Sequence, residues 1–287
     1  MHNNNLSTIP FYSSVAEQDF KKWYAYGEHT PWKVSQNYLQ PFFFFVSGAT
    51  SSPSVSSVTF YDECGNNASV SSTYRNAIKN AIATYVNNGG VTFFFTKTSS
   101  SMSLPKGFYY LDIAVSVGGT TYHFYSELFQ VCEEAELHRS CIQIKWYDAE
   151  DVQITDGGVI PYAHQAASTY YFNQLYVLSD IGMPEYSFTE EGEDRDGYFF
   201  PVKKISEKVY KMTLLATESM CDCLRLATQS DVVKIIDHNS KVYEVEHLEM
   251  NVTWLEIGFF AEVELSFETA TVVKKVGKAY GTIPSRY

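Results

Sequence analysis

The sequence predicts a mainly β chain. An N-terminal arm spans residues 1–40, an immunoglobulin-like β-sandwich spans 41–135, and a second β-sandwich with one packed helix spans 136–275. A C-terminal tail covers 276–287. Three observations predict this. Aromatic residues make up 16% of the 287 residues, and their side chains favour pleated, half-buried surfaces. Residues Ala261 to Glu268 alternate strictly: Ala261, Val263, Leu265 and Phe267 fall on one face, Glu262, Glu264, Ser266 and Glu268 on the other. Short turns punctuate apolar runs, most clearly Pro105-Lys106-Gly107 and the Gly118-Gly119 pair.

Taken in order, the arm reads IPFYSSVAEQDFKKWYAYGEHTPWKV. Ser14 followed by Glu17 is a capping-box pattern for a short helix. Phe20, Trp23 and Tyr24 follow at helical spacing, and Gly27 and Pro31 end the helix. So aromatic a segment must dock on its own domain or on a neighbouring copy. The run PFFFFV, the alternating PSVSSVTFY and the run VTFFFT read as strands. STYRNAIKNAIATYVNNGG carries Tyr74, Ile78, Ile82 and Tyr85 on one helical stripe with Gly89-Gly90 as its stop, although a strand pair also fits. LPKGFYYLDIAVSVGGTTYHFYSELFQV reads as a hairpin. Strands closed by turns this short predict the immunoglobulin-like sandwich.

CEEAELHRS, residues 132–140, is a polar break and the expected domain boundary. Beyond it come further strands and one helix at about 217–230. Thr217 is its N-cap, Glu218 and Asp222 lie near its positive end, and Met220, Cys221, Leu224 and Ala227/Thr228 form its buried stripe. The tail KKVGKAYGTIPSRY is basic and extended.

Composition narrows function. Hydrophobic residues at 45% supply a core, and charged residues at 19% are too few for a disordered chain. The net charge of -12 disfavours nucleic-acid binding by counterion release and docking on anionic membranes. The sequence shows neither a spanning apolar run nor a secretory leader. The five cysteines, Cys64, Cys132, Cys141, Cys221 and Cys223, are odd in number and irregularly spaced, which predicts buried reduced thiols rather than disulfides.

One stretch invites chemistry. In EEGEDRDGYFFP, residues 190–201, Asp194 and Asp196 precede Gly197 as in part of a calcium loop. A third ligand, a later Glu and flanking helices are missing. The expectation is a long charged loop that like charges keep in water, with Tyr198 to Phe200 marking re-entry into the core. Neither this cluster nor Asp148, Glu150 and Asp151 offers the desolvated acid that glycoside hydrolysis needs. The seven histidines are scattered, and no nucleophile elbow, P-loop or dinucleotide fingerprint occurs. Neither a metal, a cofactor nor catalysis is expected. Exposed aromatics could stack on sugars.

Several of these segments together resemble structural proteins of tailed phages and prophages of Bacteroidetes: IPFYSSVAEQDFKKWYAYG, LPKGFYYLDIAVS with YHFYSELFQV, EEGEDRDGYFFPVKKISEKVYKMTLLATESMCDCLRL, and VTWLEIGFFAEVELSFETATVVKK. The resemblance spans most of the chain. It implies a virion component of the tail or of the head–tail connector, made in the bacterial host cytoplasm. It further implies immunoglobulin-like decoration in the middle and a sandwich-plus-helix unit of the tail-tube or distal-tail type, with no catalytic residues to transfer. The expected partners are copies of the chain and other virion proteins. The assembly residues expected on this basis are Phe20, Trp23 and Tyr24 of the arm, and Lys274, Lys275, Lys278 and Arg286 of the tail meeting Asp194 and Asp196 of the next copy. The alternative is a carbohydrate-binding or adhesion module that touches host glycans.

Overall fold

The computed structural model describes residues 7–18, 32–37, 42–47, 53–86, 91–96, 104–148, 152–153, 159–160, 173–195, 197–255, 260–269 and 273–276. The chain is mainly β. It begins with β1 (Phe11–Tyr12), a single helical turn at Val15–Glu17, β2 (Lys33–Ser35), β3 (Phe43–Ser47) and β4 (Ser54–Tyr61). Helix α1 (Ser72–Ala81) runs into β5 (Ile82–Val86), followed by β6 (Val91–Thr96), β7 (Gly107–Val117), β8 (Thr120–Ser126) and β9 (Phe129–Cys132). Helix α2 (Glu134–Ser140) leads to β10 (Ile142–Tyr147), the short pair β11 (Val152–Gln153) and β12 (Val159–Ile160), and β13 (Asn173–Val177). Then come β14 (Glu185–Arg195), β15 (Tyr198–Ala216), α3 (Glu218–Ala227), β16 (Val232–Ile236), β17 (Val242–Trp254), β18 (Ala261–Thr269) and β19 (Val273–Val276).

Hydrogen bonding joins most strands into one large sheet. Its order is β1-β8-β7-β9-β2-β13-β10-β16-β17-β18-β15-β14, with β4 added to β7 and β19 added to β15. Nearly all of its pairs are antiparallel, and β2–β9 is parallel. A separate three-stranded sheet, β3-β6-β5, faces it. Aromatic rings fill the space between: Phe44 lies 4.5 Å from Phe124 and 5.3 Å from Phe94, and Phe11 lies 4.8 Å from Phe42. Rings at such separations add to the burial of their area.

The N-terminal segment docks on its own chain over residues 7–18. Ile9, Phe11 and Tyr12 are buried, β1 pairs with β8, and the Gln18 side chain donates to the Ser126 carbonyl. Ser14 caps as expected, its hydroxyl accepting from the Ala16 N–H, but Gln18 is already extended. Phe20, Trp23 and Tyr24 lie outside the described residues. Lys33–Ser35, assigned by sequence to the arm, instead forms β2 in mid-sheet, between β9 and β13. Trp32 and Val34 are buried, and Lys33 donates to Gln130 at 2.7 Å.

Two further expectations change. The polar segment at 132–140 holds the end of β9 and then a helix, Glu134–Ser140. Leu137 anchors it among Cys132, Cys141 and Tyr176, and the strand ladder continues on both sides of it. Helix α1 stops at Ala81, before the expected glycines, because Ile82 to Val86 pair with β6. The β-branched and aromatic residues there favour that ladder over another helical turn. The Gly118-Gly119 hairpin is as expected. Both residues have positive φ (61° and 81°), the mirror-image turn that suits strand twist.

The β18 alternation holds: Ala261, Val263, Leu265 and Phe267 are buried. They meet Ala216, Leu214, Met212 and Tyr210 across β15. Helix α3 packs on β10, β15 and β17. Its N-cap is Thr217, whose hydroxyl accepts from the Met220 N–H, and Met220, Cys221, Cys223, Leu224 and Ala227 are buried. Thr217→Ala is expected to cost about 1 kcal/mol. Thermal unfolding followed by circular dichroism checks this as a fall of a few degrees in Tm.

Candidate assembly surface

The acidic stretch is not a loop. Residues 190–195 belong to β14, which pairs along its whole length with β15. Arg195 pairs with Tyr198, so the two strands close tightly on Gly197. Asp-Gly is a strong hairpin signal, and Gly197 takes φ 80° with open space where a Cβ would stand. The like charges are tolerable because a strand sends successive side chains to opposite faces. The register also sets Lys204 opposite Glu190 and Lys203 opposite Glu191, and opposite charges at facing positions stabilise a ladder. The register then shifts: Gly192 meets Pro201, leaving Val202 extra on β15. A bulge is where a strand accepts a proline.

Among the described residues this hairpin outruns β18, the strand beside it. β15 is 19 residues long, and β18 accompanies only Val209 to Ala216. Residues 198–208 have β14 on one side and, at 203–206, β19 on the other. At about 3.3 Å per residue, that stretch is roughly 35 Å of narrow ribbon. β14 is the last strand of the sheet. Its edge is prolonged backwards by an Ile181–Met212 bridge and by Gly182 N–H donating to the Lys211 carbonyl at 2.8 Å.

Large apolar side chains stand on this edge in water. Met183 is 91% exposed, Tyr186 68% and Phe188 63%. Tyr186 and Phe188 share a face, and the Lys208 ammonium lies 5.5 Å from the Tyr186 ring centre. Glu185 pairs with Lys211 at 3.1 Å. Acids protect the outer half of the edge, as natural edge strands require, but the Glu185–Thr189 half presents aromatics instead.

Of the expected assembly residues, Asp194 is exposed on β14 opposite Phe199. Lys274 and Lys275 lie on β19, opposite Ile205 and Lys204. They thus share one ribbon with the acids of their own chain, across β15 from them. Asp196, Lys278 and Arg286 lie outside the described residues. Tyr186 and Phe188 were missed, although the EYSFT alternation carried the signal.

The other candidate groups have structural partners. Asp148 is half-buried and accepts from the Asp231 N–H at 2.8 Å and the Ser230 hydroxyl at 3.3 Å, which ties β10 to the exit of α3. Burial pushes its carboxyl up, against those hydrogen bonds. Glu150 and Asp151 lie outside the described residues. His123 meets Asp112 at 2.9 Å, His238 meets Asp180 at 2.8 Å and His247 meets Glu249 at 3.1 Å. No group of three metal-ligating side chains occurs among the described residues. No protein-family model matches the chain, and no curated protein matches it significantly in sequence.

The cysteines divide differently from expectation. Cys64 is exposed, and Cys132, Cys141, Cys221 and Cys223 are buried and free. Burial, with Asp222 and Glu218 adding, pushes the Cys221 thiol from 9.0 up to about 11. Burial moves Cys223 the same way. Above pH 9 the unfolded chain sheds these protons while the folded chain keeps them, so stability falls as pH rises toward 11. A thiol reagent at pH 8 is expected to titrate one cysteine rapidly and the other four only after denaturant is added.

Proposed function

We propose that this chain is a structural component of a bacteriophage virion, assembling with copies of itself and with other virion proteins into a ring of the tail or head–tail connector. In this reading it is made in the host cytoplasm and ends in the particle. In the same reading the facing sheets around Phe44 correspond to the immunoglobulin-like sandwich, and α3 with the strands of the single sheet that it packs on corresponds to the tail-type unit. The observation that carries the reading is the β14–β15 hairpin, a long ribbon that leaves the core with Met183, Tyr186 and Phe188 exposed on an edge strand. An edge of this kind is a template for pairing with another chain, and aromatics are the usual anchors of protein interfaces. The resemblance to phage structural proteins supplies the particle. Negative-stain microscopy of the purified chain tests the proposal: rings support it, and isolated single copies count against it.

A second reading, a glycan-binding module, rests on the outer face of β4, β7 and β8. Tyr61 stacks on Tyr110 at 5.3 Å and His123 lies over Tyr125 at 6.3 Å, with the Asp112 carboxylate on the His123 ring. Aromatic faces beside an acceptor suit sugars, but Tyr110 is itself buried. Binding on a glycan array that Tyr125→Ala abolishes favours this reading.

A further inference from the structure

We infer that copies of this chain join head to tail, with the β19 edge of one copy laid beside the β14 edge of the next as parallel strands. The inference rests on the self-assembly proposed above and specifies its contact. β14 and β19 both pair with β15, on opposite sides and both antiparallel to it. They therefore run in the same direction and border one three-stranded ribbon. Among the described residues neither has a partner on its outer side.

The register fixes what meets across such a joint. Val273, Ser206 and Phe188 stand in one row of the ribbon; Lys274, Ile205 and Thr189 in the next; Lys275, Lys204 and Glu190 in the third. Repeating the ribbon sideways without slip brings Phe188 beside Val273 of the next copy, and Glu190 beside its Lys275. The first is an aromatic–β-branched pair and the second an opposite-charge pair, both favourable as lateral neighbours. Within one copy Lys275 faces Lys204, a like-charge pair. The joint flanks Lys275 with a carboxylate on its other side.

Charge opposes two-fold pairing of the outer half of either edge. Edge β14 against its own copy about Gly192 would set Glu190 on Asp194 and Glu191 on Glu193, and edge β19 about its lysines would set Lys274 on Lys275. The head-to-tail joint meets neither clash; it is a heterologous contact, which generates rings or open arrays rather than dimers.

Disulfide trapping tests this. Thr189→Cys and Lys274→Cys are combined with Cys64→Ser, the four other thiols being buried. Within one copy positions 189 and 274 are two strand spacings apart, about 9.5 Å, too far for a disulfide. Across the joint they are one spacing apart, about 4.8 Å. Oxidation is expected to give a ladder of multimers on a non-reducing gel that reductant collapses, with no ladder from either single cysteine. Mass photometry of the unoxidised protein is run in parallel. Assemblies without a ladder overturn the edge pairing and leave the assembly reading standing. A disulfide dimer from Thr189→Cys alone overturns it in favour of two-fold pairing. A chain that stays single at high concentration overturns both.

Discussion

Val34→Asp is expected to abolish cooperative folding. Val34 lies at 0% exposure in β2, opposite Val131 of β9, with β13 on the other side of the strand. An unpaired carboxylate there would have no solvent, and burying one costs several kcal/mol. That is a large share of the 5–15 kcal/mol that holds a typical domain together. The loss should also spread. Trp32 and Gln36 flank β2, their backbones bonded to Gln130 and Cys132, so displacing Val34 separates β9 from β13. Val34→Ala, which removes two methyl groups, should cost only about 2 kcal/mol. Urea titration by tryptophan fluorescence separates the outcomes: a native-like midpoint for Val34→Asp would mean that β2 is a dispensable arm.

Replacing Tyr186 and Phe188 together by Ser is expected to do the opposite, leaving the fold intact and removing assembly. Both side chains are mostly in water, so the folded state loses little, within about 0.5 kcal/mol for each. At an interface, aromatic anchors carry about 1–2 kcal/mol each or more. The pair should therefore weaken self-association by roughly 30- to 1000-fold. Sedimentation velocity together with a thermal melt reads both quantities. Unchanged association with an unchanged melt would remove the hairpin edge from the contact.

Much of the fold is legible in the sequence where the signal is local. The β18 alternation, the Gly118-Gly119 turn and the Thr217 cap each encode their structure within a few residues. β2 does not. Lys33-Val34-Ser35 is too short for any period, and it becomes a strand only because Gln130 to Cys132, about a hundred positions away, pair with it. Helix α2 has fewer than two turns and a single apolar anchor, Leu137, so it reads as a polar break. Ile82 continues the helical stripe of α1, and only its pairing with Thr96 makes it a strand.

The acidic hairpin was misread for a different reason. Five acids within seven residues look like a solvated loop, but the matching Lys203 and Lys204 come opposite Glu191 and Glu190 once Arg195 pairs with Tyr198. The alternation at Tyr186 and Phe188 was equally legible as a half-buried strand. Their exposure was not, because it depends on β14 lying at the end of the sheet. A strand's place in its sheet is a tertiary fact, and it turns an ordinary amphipathic strand into a candidate contact surface.

The most direct test of self-assembly is mass photometry of the full chain across a concentration series. A single discrete species at a fixed multiple of 32.6 kDa, growing with concentration and lost in the Tyr186/Phe188 double variant, is the predicted result. A lone 32.6 kDa species at every concentration would contradict it.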